Sequence, residues 1–151
     1  DFHLGQMLIV KDDIFIIDFE GEPRRTLDER RHKAPAARDV AGLIRSLDYA
    51  ATAALERALQ VAPDDQGKLA SALEGWRERA VNAFVVAYRE AMTDDRLWPA
   101  DPEAAERLLQ FFLLEKALYE IEYELAYRPA WLRVPLSGML RVLAGPSEAP
   151  A

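Results

Sequence analysis

The first 23 residues, DFHLGQMLIVKDDIFIIDFEGEP (1–23), contain two short apolar runs that are bordered by acidic residues. The runs MLIVK (7–11) and IFIIDF (14–19) are rich in β-branched and aromatic residues, and two aspartates separate them. This pattern predicts two strands joined by a tight turn, which is a small β-hairpin. Asp18 then lies at the end of the second strand, where the sheet would fix its backbone while its carboxylate reaches a cation.

The rest of the chain has the apolar spacing of helices. Residues 21–37 are polar, contain glycine and proline, and predict a surface loop. Helices are predicted at about 38–59, 65–91, 102–127 and 136–143, with breaks rich in proline or aspartate between them. The predicted fold is therefore α+β and predominantly α-helical, with one β-hairpin followed by four to five helices.

The composition is that of a single soluble domain. The chain has 151 residues, of which 50% are hydrophobic and 30% are charged, and it has no cysteine. These values exclude a disulfide framework and a thiolate metal site, and they fit a cytoplasmic protein. The net charge of −7 works against binding to nucleic acid or to an anionic membrane. We expect one domain over residues 1–145 and a frayed tail over 146–151.

Polar residues around the hairpin have the spacing of a phosphoryl-transfer site. Asp1 and Gln6 stand five residues apart, as do the base and the amide ligand in the D-x-x-x-x-N loop of protein kinases. Asp18 follows the second strand, where such enzymes place a second Mg²⁺ ligand, and Glu20 could add a further oxygen. An ordinary strand-end aspartate and an unrelated glutamine fit the same spacing, because short motifs often match by chance.

The predicted helix at 102–127 carries side chains that suit a sugar. Steps of three and four residues place Lys116, Glu120, Tyr123 and Tyr127 near one face. Aromatic rings offer flat apolar area, and the charged groups can hydrogen-bond to hydroxyls. A second face is expected to meet the core, with Leu114, Leu118, Ile121 and Leu125. A solvated helix face is the competing interpretation of the polar residues. Trp76 and Trp98 are expected to be packing residues.

Three longer strings together resemble maltokinases, which are related to aminoglycoside phosphotransferases and, more distantly, to protein kinases. They are D-x-H-x-G-Q (1–6), DFEGEP (18–23) and KALYE-x-x-YE-x-x-x-RP-x-W (116–131). The resemblance implies the C-terminal lobe of a kinase-like fold, with the N-terminal lobe absent. It also implies a transferase that uses ATP and Mg²⁺ to phosphorylate maltose to maltose 1-phosphate, a precursor for glycogen synthesis. Trehalose synthase is the partner that it suggests.

The resemblance also implies roles for individual residues. Asp1 matches the catalytic base, Gln6 and Asp18 match the metal ligands, and Glu20 matches the acid that follows them. His3 lies in the same loop and is expected either to contact the sugar or to brace the loop. The remaining predicted substrate-binding residues are Lys116, Tyr119, Glu120, Tyr123, Glu124 and Trp131, of which Trp131 is either a pocket wall or a core anchor. The family motif begins His-Gly-Asp, whereas this chain starts at the aspartate.

Two other interpretations stay open. One keeps the fold and changes the acceptor to an aminoglycoside, choline or another small alcohol. The other is a non-catalytic kinase-like lobe that docks onto trehalose synthase, although such a lobe would not need all of Asp1, Gln6 and Asp18. A lobe without its partner would expose apolar surface, so we expect the 151-residue chain to be inactive alone and to self-associate.

Overall fold

The computed structural model describes residues 2–21, 26–94 and 96–145. In this part of the chain, two strands and five α-helices follow one another in the order β1 (Met7–Val10), β2 (Asp13–Ile16), α1 (Leu27–Arg31), α2 (Ala37–Leu59), α3 (Gln66–Ala91), α4 (Pro102–Tyr127) and α5 (Arg133–Ala144). The predicted α+β, predominantly helical fold with a hairpin before four to five helices is confirmed. Asp1 and the tail at 146–151 lie outside the described residues.

The hairpin is shorter than predicted. β1 and β2 pair antiparallel, with Met7 opposite Ile16 and Val10 opposite Asp13. The predicted second strand extended to residue 19, but β2 ends at Ile16, and two residues later Asp18 takes a left-handed backbone with φ 60°, which does not continue a strand. Aspartate is one of the few non-glycine residues that adopt this region readily. The apolar composition therefore continues beyond the last strand pair.

Both faces of the hairpin are exposed. Its apolar side chains Leu8, Ile9, Val10, Ile14, Phe15 and Ile16, and the following Ile17 and Phe19, are all at least 41% exposed, and Ile9 and Phe19 reach 78% and 85%. A continuous apolar surface of this kind usually marks an interaction site.

Helix α2 occupies the centre of the helical part and packs against α3, α4 and α5. The core forms where small and branched residues of α2 meet α4 and Trp98; its members are Ala37, Val40, Ala41, Ile44, Trp98, Ala105, Leu109 and Phe112. Trp98 packs edge-to-face on Tyr88 with ring centroids 5.3 Å apart, so its predicted packing role is confirmed. Trp76 is an exposed residue, and its predicted role was wrong because α3 reaches the core only through its second half, from Val81 onward.

Helix α4 is rotated relative to the prediction. Leu118 and Leu125 were assigned to the core, but they are 57% and 58% exposed. The helix instead buries Ala117, Glu120 and Glu124. The carboxylates can be buried because α2 supplies a guanidinium and a phenol that pair with them across the helix contact. Apolar periodicity alone does not report such partners.

Capping explains the remaining differences at the helix ends. Helix α1 lies in the segment predicted as a loop, and Thr26 and Glu29 form a reciprocal capping box at its start. Asp101 caps α4 by accepting a hydrogen bond from the Ala104 amide at 3.0 Å. Helix α5 starts at Arg133, three residues before the predicted start, because a proline is tolerated in the first turn of a helix.

Among the described residues, no helix is both long enough and apolar enough to cross a membrane.

The exposed hairpin leads to a first prediction. We expect the 151-residue chain to bind an apolar fluorescent dye and to self-associate in light scattering. Ile9 and Ile14 lie opposite each other in the hairpin. Replacing them together, Ile9→Lys with Ile14→Glu, places an opposite-charge pair on the strands, so dye binding and association should fall without loss of thermal stability.

The matched control is Val61→Lys, which alters an exposed apolar residue just beyond α2. It should leave dye binding and association unchanged. A wild-type chain that is monomeric and binds no dye would contradict the prediction.

Candidate active site

The segment 2–6 lies directly on helix α2. A Cβ at Gly42 would stand 2.6 Å from the carbonyl oxygen of Phe2, so only glycine allows the backbone to approach the helix so closely. One turn later, the Ser46 hydroxyl accepts a hydrogen bond from the Leu4 amide at 3.2 Å. These two positions on α2 therefore fix the backbone of the predicted catalytic loop.

Gln6 connects this loop to the end of the hairpin. Its side chain is buried, and its Nε2 donates to the Asp18 carbonyl oxygen at 2.7 Å. Its Oε1 accepts from the His3 amide at 3.2 Å. The structure thus brings the two predicted metal ligands Gln6 and Asp18 together, and both line a cavity of about 410 Å³ that also contacts Asp39 and Tyr88.

The donor set of this first cavity suits a hard cation. An amide oxygen has two lone pairs, so Gln6 Oε1 keeps one for a metal while it accepts from His3. Mg²⁺ is usually held by one or two carboxylates together with substrate phosphates. Within residues 2–21, 26–94 and 96–145, no three His, Cys, Asp or Glu side chains gather closely enough to hold a metal. Glu20 is exposed and does not line this cavity. Of the predicted metal ligands, Gln6 and Asp18 therefore line this cavity, and Asp39 adds a further carboxylate to its wall.

A second cavity, of about 460 Å³, lies between the loop, α2 and α4. Its lining residues are His3, Gly42, Ser46, Tyr49, Lys116, Tyr119, Glu120, Tyr123, Glu124 and Arg128. The structure thus brings together all of the predicted substrate-binding residues except Trp131. That indole stacks on Tyr49, with centroids 6.0 Å apart and planes 11° from parallel, and supports the wall from behind.

His3 enters the second cavity as a neutral imidazole. Its Nδ1 accepts a hydrogen bond from the Gly5 amide at 3.1 Å. Burial, reinforced by the positive charge of Lys116, lowers the pKa of His3 below its ordinary value. Because Nδ1 is an acceptor, the single proton of the neutral ring resides on Nε2, where it can be donated.

Glu124 organises one end of the cavity. It is 1% exposed, and its carboxylate accepts from the Tyr49 hydroxyl at 2.8 Å and from Arg128 at 2.6 and 3.0 Å. Burial, with the charges of Glu120 and Glu124, raises the pKa of Tyr49, so the phenol stays protonated and remains a donor. The Arg128 guanidinium lies 5.3 Å from the centre of the Tyr123 ring. Glu124 thus fixes a phenol and a cation–π pair at the cavity wall.

Glu120 lies one turn before Glu124 on the same face of α4 and is also buried. Its Oε2 accepts two hydrogen bonds from Arg45, from Nε at 2.9 Å and from Nη2 at 2.7 Å. Burial raises the pKa of Glu120, and the Arg45 charge opposes that rise. Nearby, the Lys116 ammonium lies 5.0 Å from the centre of the Tyr119 ring.

Three polar residues on α2 that pair around the candidate site were not predicted: Arg45, Asp48 and Tyr49. They stand at spacings of three and four residues within a helix whose other inward positions are apolar. Polar residues on an apolar stripe are the signal that could have found them, because buried polar groups need partners. The α4 partners of Arg45 and Tyr49 lie 75 residues away in sequence, and Asp48 pairs with Arg45 and with Arg77 of α3.

No family model matches the chain. Two curated proteins named glucosamine kinase are similar to it. The one from Streptacidiphilus jiangxiensis is 32% identical over 135 residues, which cover 89% of this chain and 28% of the relative. The one from Mycolicibacterium smegmatis is 32% identical over 136 residues, which cover 89% of this chain and 31% of the relative. The chain is therefore similar over most of its length to these two proteins, and it spans less than a third of theirs.

Proposed function

We propose that the chain is the acceptor-binding part of an ATP- and Mg²⁺-dependent sugar kinase. One observation carries the proposal: the segment 2–6 lines two cavities at once, one with the oxygen donors Gln6 and Asp18 and one with rings and hydrogen-bonding groups suited to a sugar. The similarity to proteins named glucosamine kinase supports it. The N-terminal lobe, which would supply the rest of the ATP site, belongs to the same proposal.

Phosphoryl transfer depends mainly on positioning and on neutralising charge. In this proposal Gln6 and Asp18 hold Mg²⁺, which would draw negative charge from the phosphates of ATP. Glu20 is exposed and outside the first cavity, so the proposal gives it no metal contact. Asp1 accepts the proton of the attacking hydroxyl, a role that rests on the sequence motif alone because Asp1 lies outside the described residues.

The second cavity would bind the sugar through hydrogen bonds to its hydroxyls and through aromatic contact with its apolar faces. His3 donates from Nε2, Glu120 accepts through its carboxylate, and the rings of Tyr119 and Tyr123 provide flat apolar contact. Glu124 acts through the groups that it holds, because its two oxygens are already bonded by Tyr49 and Arg128.

Charge balance favours a neutral acceptor. Each carboxylate that lines the second cavity has an arginine partner, Glu120 with Arg45 and Glu124 with Arg128, and Lys116 adds a further positive charge. An ammonium group would meet no surplus negative charge from these residues. We therefore propose maltose as the first candidate acceptor, with maltose 1-phosphate as the product and trehalose synthase as a partner of the whole protein.

Glucosamine is the second candidate, because both similar proteins are named glucosamine kinase. Its amine would have to bind uncharged, or Glu120 would have to exchange Arg45 for the ligand. Maltose can therefore bind with the Arg45–Glu120 pair intact, whereas protonated glucosamine would require that pair to separate.

The substrate is tested in the protein that contains this chain at the length of its curated relatives. We expect ATP, Mg²⁺ and maltose to give a maltose phosphate peak in mass spectrometry, in a panel with glucose, glucosamine, an aminoglycoside and choline. Asp18→Asn should lower the rate by at least about a hundredfold, since a metal ligand is lost. The matched control, Asp64→Asn, changes an exposed aspartate beyond α2 and should leave the rate unchanged.

A glucosamine phosphate peak without a maltose phosphate peak would replace the acceptor and keep the sugar kinase. Transfer to none of the five compounds would overturn the proposed function.

The protonation state of His3 gives a separate prediction. Its imidazole C–H resonances should titrate with a midpoint below the ordinary value of about 6.5. The lowered pKa means that the folded state prefers neutral His3, so the stability linked to it is present above about pH 6.5 and is lost as the pH falls. Lys116→Met should raise the midpoint because it removes a positive charge.

Lys68→Met is the control, since Lys68 is an exposed residue that pairs with Asp65 on the outside of α3. It should not move the His3 midpoint. A wild-type midpoint at or above 6.5 would contradict the neutral donor assigned to His3.

A further inference from the structure

The Glu120 carboxylate is held asymmetrically at the wall of the second cavity. Both Arg45 hydrogen bonds reach the same oxygen, Oε2. Among the described residues, the hydrogen bonds to this carboxylate come from Arg45. Because Glu120 also lines the cavity, its other oxygen, Oε1, is the one that remains for a ligand.

Arg45 has little freedom to move. It is 2% exposed, it is paired with Asp48 on its own helix, and Nη2 lies 3.4 Å from the Val134 carbonyl oxygen on α5. Asp48 is itself paired with Arg77 of α3. Side chains from three helices and the backbone of α5 therefore fix the guanidinium that holds Glu120.

The space for Arg45 exists because residue 138 has no side chain. A Cβ at Gly138 would overlap the Arg45 guanidinium, most closely at Nη1. Any other residue at position 138 must therefore displace the guanidinium or the helix. Gly138 lies on α5, whereas the sugar-facing residues lie on the loop, α2 and α4.

We propose that Arg45 is a positioning residue for the acceptor and that Gly138 is the feature of α5 that makes this position available. Arg45 fixes Glu120 through Oε2 so that Oε1 accepts a hydroxyl of the bound sugar. The inference rests on the proposed function for its substrate class, but the placement of Glu120 by Arg45 is testable without any sugar.

The fork of the guanidinium is what this arrangement requires. Two donors on one rigid plane reach a single oxygen and set the direction of the carboxylate, whereas a lysine ammonium is a point charge on a flexible stem. A buried ion pair that served stability alone could be replaced by apolar residues with little loss. The position of Glu120 on a cavity wall gives this pair a directional task as well.

The first experiment uses a double-mutant cycle read by chemical denaturation. Gly138→Ala should lower the denaturation midpoint strongly in the wild-type background. It should have much less effect in an Arg45→Met background, because the overlapping guanidinium is gone. Gly67→Ala is the matched control, since a Cβ there meets no atom within 4 Å in helix α3, and it should be neutral or stabilising.

If Gly138→Ala does not fold, recovery of folding in the double variant supports the proposal as well. Equal effects of Gly138→Ala in both backgrounds would overturn the claim that position 138 must leave room for Arg45.

The second experiment measures the carboxylate directly. In protein labelled with ¹³C at glutamate side chains, Arg45→Met should move the Glu120 titration to higher pH. Burial and the charge of Asp48 raise the pKa of Glu120, and of the two cations that oppose them, Arg45 and Lys116, only Lys116 then remains. Arg45→Lys should bring the Glu120 titration part of the way back toward the wild-type pH, because it returns the positive charge but not the two hydrogen bonds to Oε2. An unchanged Glu120 titration in Arg45→Met would overturn the role of Arg45 whether or not the protein phosphorylates a sugar.

The third experiment follows the acceptor in the protein at the length of its relatives. Arg45→Met should raise KM for the phosphorylated sugar by about tenfold or more and leave KM for ATP unchanged. The sugar KM of Arg45→Lys should lie between those of the wild-type enzyme and Arg45→Met. An unchanged sugar KM in an active Arg45→Met enzyme would overturn the positioning role. A wild-type enzyme that phosphorylates no sugar would instead overturn the proposed function. The Glu120 titration would then decide whether Arg45 positions Glu120.

Discussion

The burial of two α4 carboxylates against α2 is the constraint on which the rest of the structure depends. Removing a carboxylate from water is costly unless a partner of opposite charge or a strong donor meets it. Arg45 meets Glu120 and Tyr49 meets Glu124, so α4 can turn this face inward. The same rotation directs Leu118 and Leu125 to the outside. One contact between two helices therefore decides both the orientation of α4 and the composition of the cavity beside it.

Helix α2 connects this cavity to the loop before the hairpin. Gly42 and Ser46 contact the loop on one side of α2. Arg45 and Tyr49 hydrogen-bond to α4 on the neighbouring side of the same helix. These four positions alternate along barely two turns of helix. The loop and the wall of the second cavity are thus fixed to one rigid element, which is the arrangement that the proposed positioning of a reacting hydroxyl requires.

Much of the fold followed from local patterns, and so did part of the candidate site. The bounds of α4 were predicted correctly because Pro102 suits a first turn and the apolar spacing continues to residue 127. The five-residue spacing and the strand-end aspartate predicted that Gln6 and Asp18 serve one site, and they do line one cavity. Helix α1 was missed although its T-x-x-E sequence is a capping-box signature.

The rotation of α4 could not be predicted in this way, because it depends on partners 75 residues distant in sequence. Leucines and carboxylates alternate around that helix, so its apolar periodicity alone gives the wrong inward face. The decisive information lay in α2, where Arg45 interrupts an apolar stripe, and in Gly138, which only the packed structure shows to lie against the Arg45 guanidinium.

The paired carboxylates also limit how the cavity could discriminate between sugars. A neutral sugar can use Glu120 as it stands, because the hydroxyl only needs an acceptor oxygen and the Arg45 pair stays intact. A protonated amino sugar brings a second cation to a carboxylate that already has one, beside Lys116, and each added positive charge in a cavity of low dielectric is unfavourable. Recognition of an amine would therefore favour its uncharged form and grow stronger as the pH rises, whereas recognition of a neutral disaccharide would carry no such dependence from the ligand.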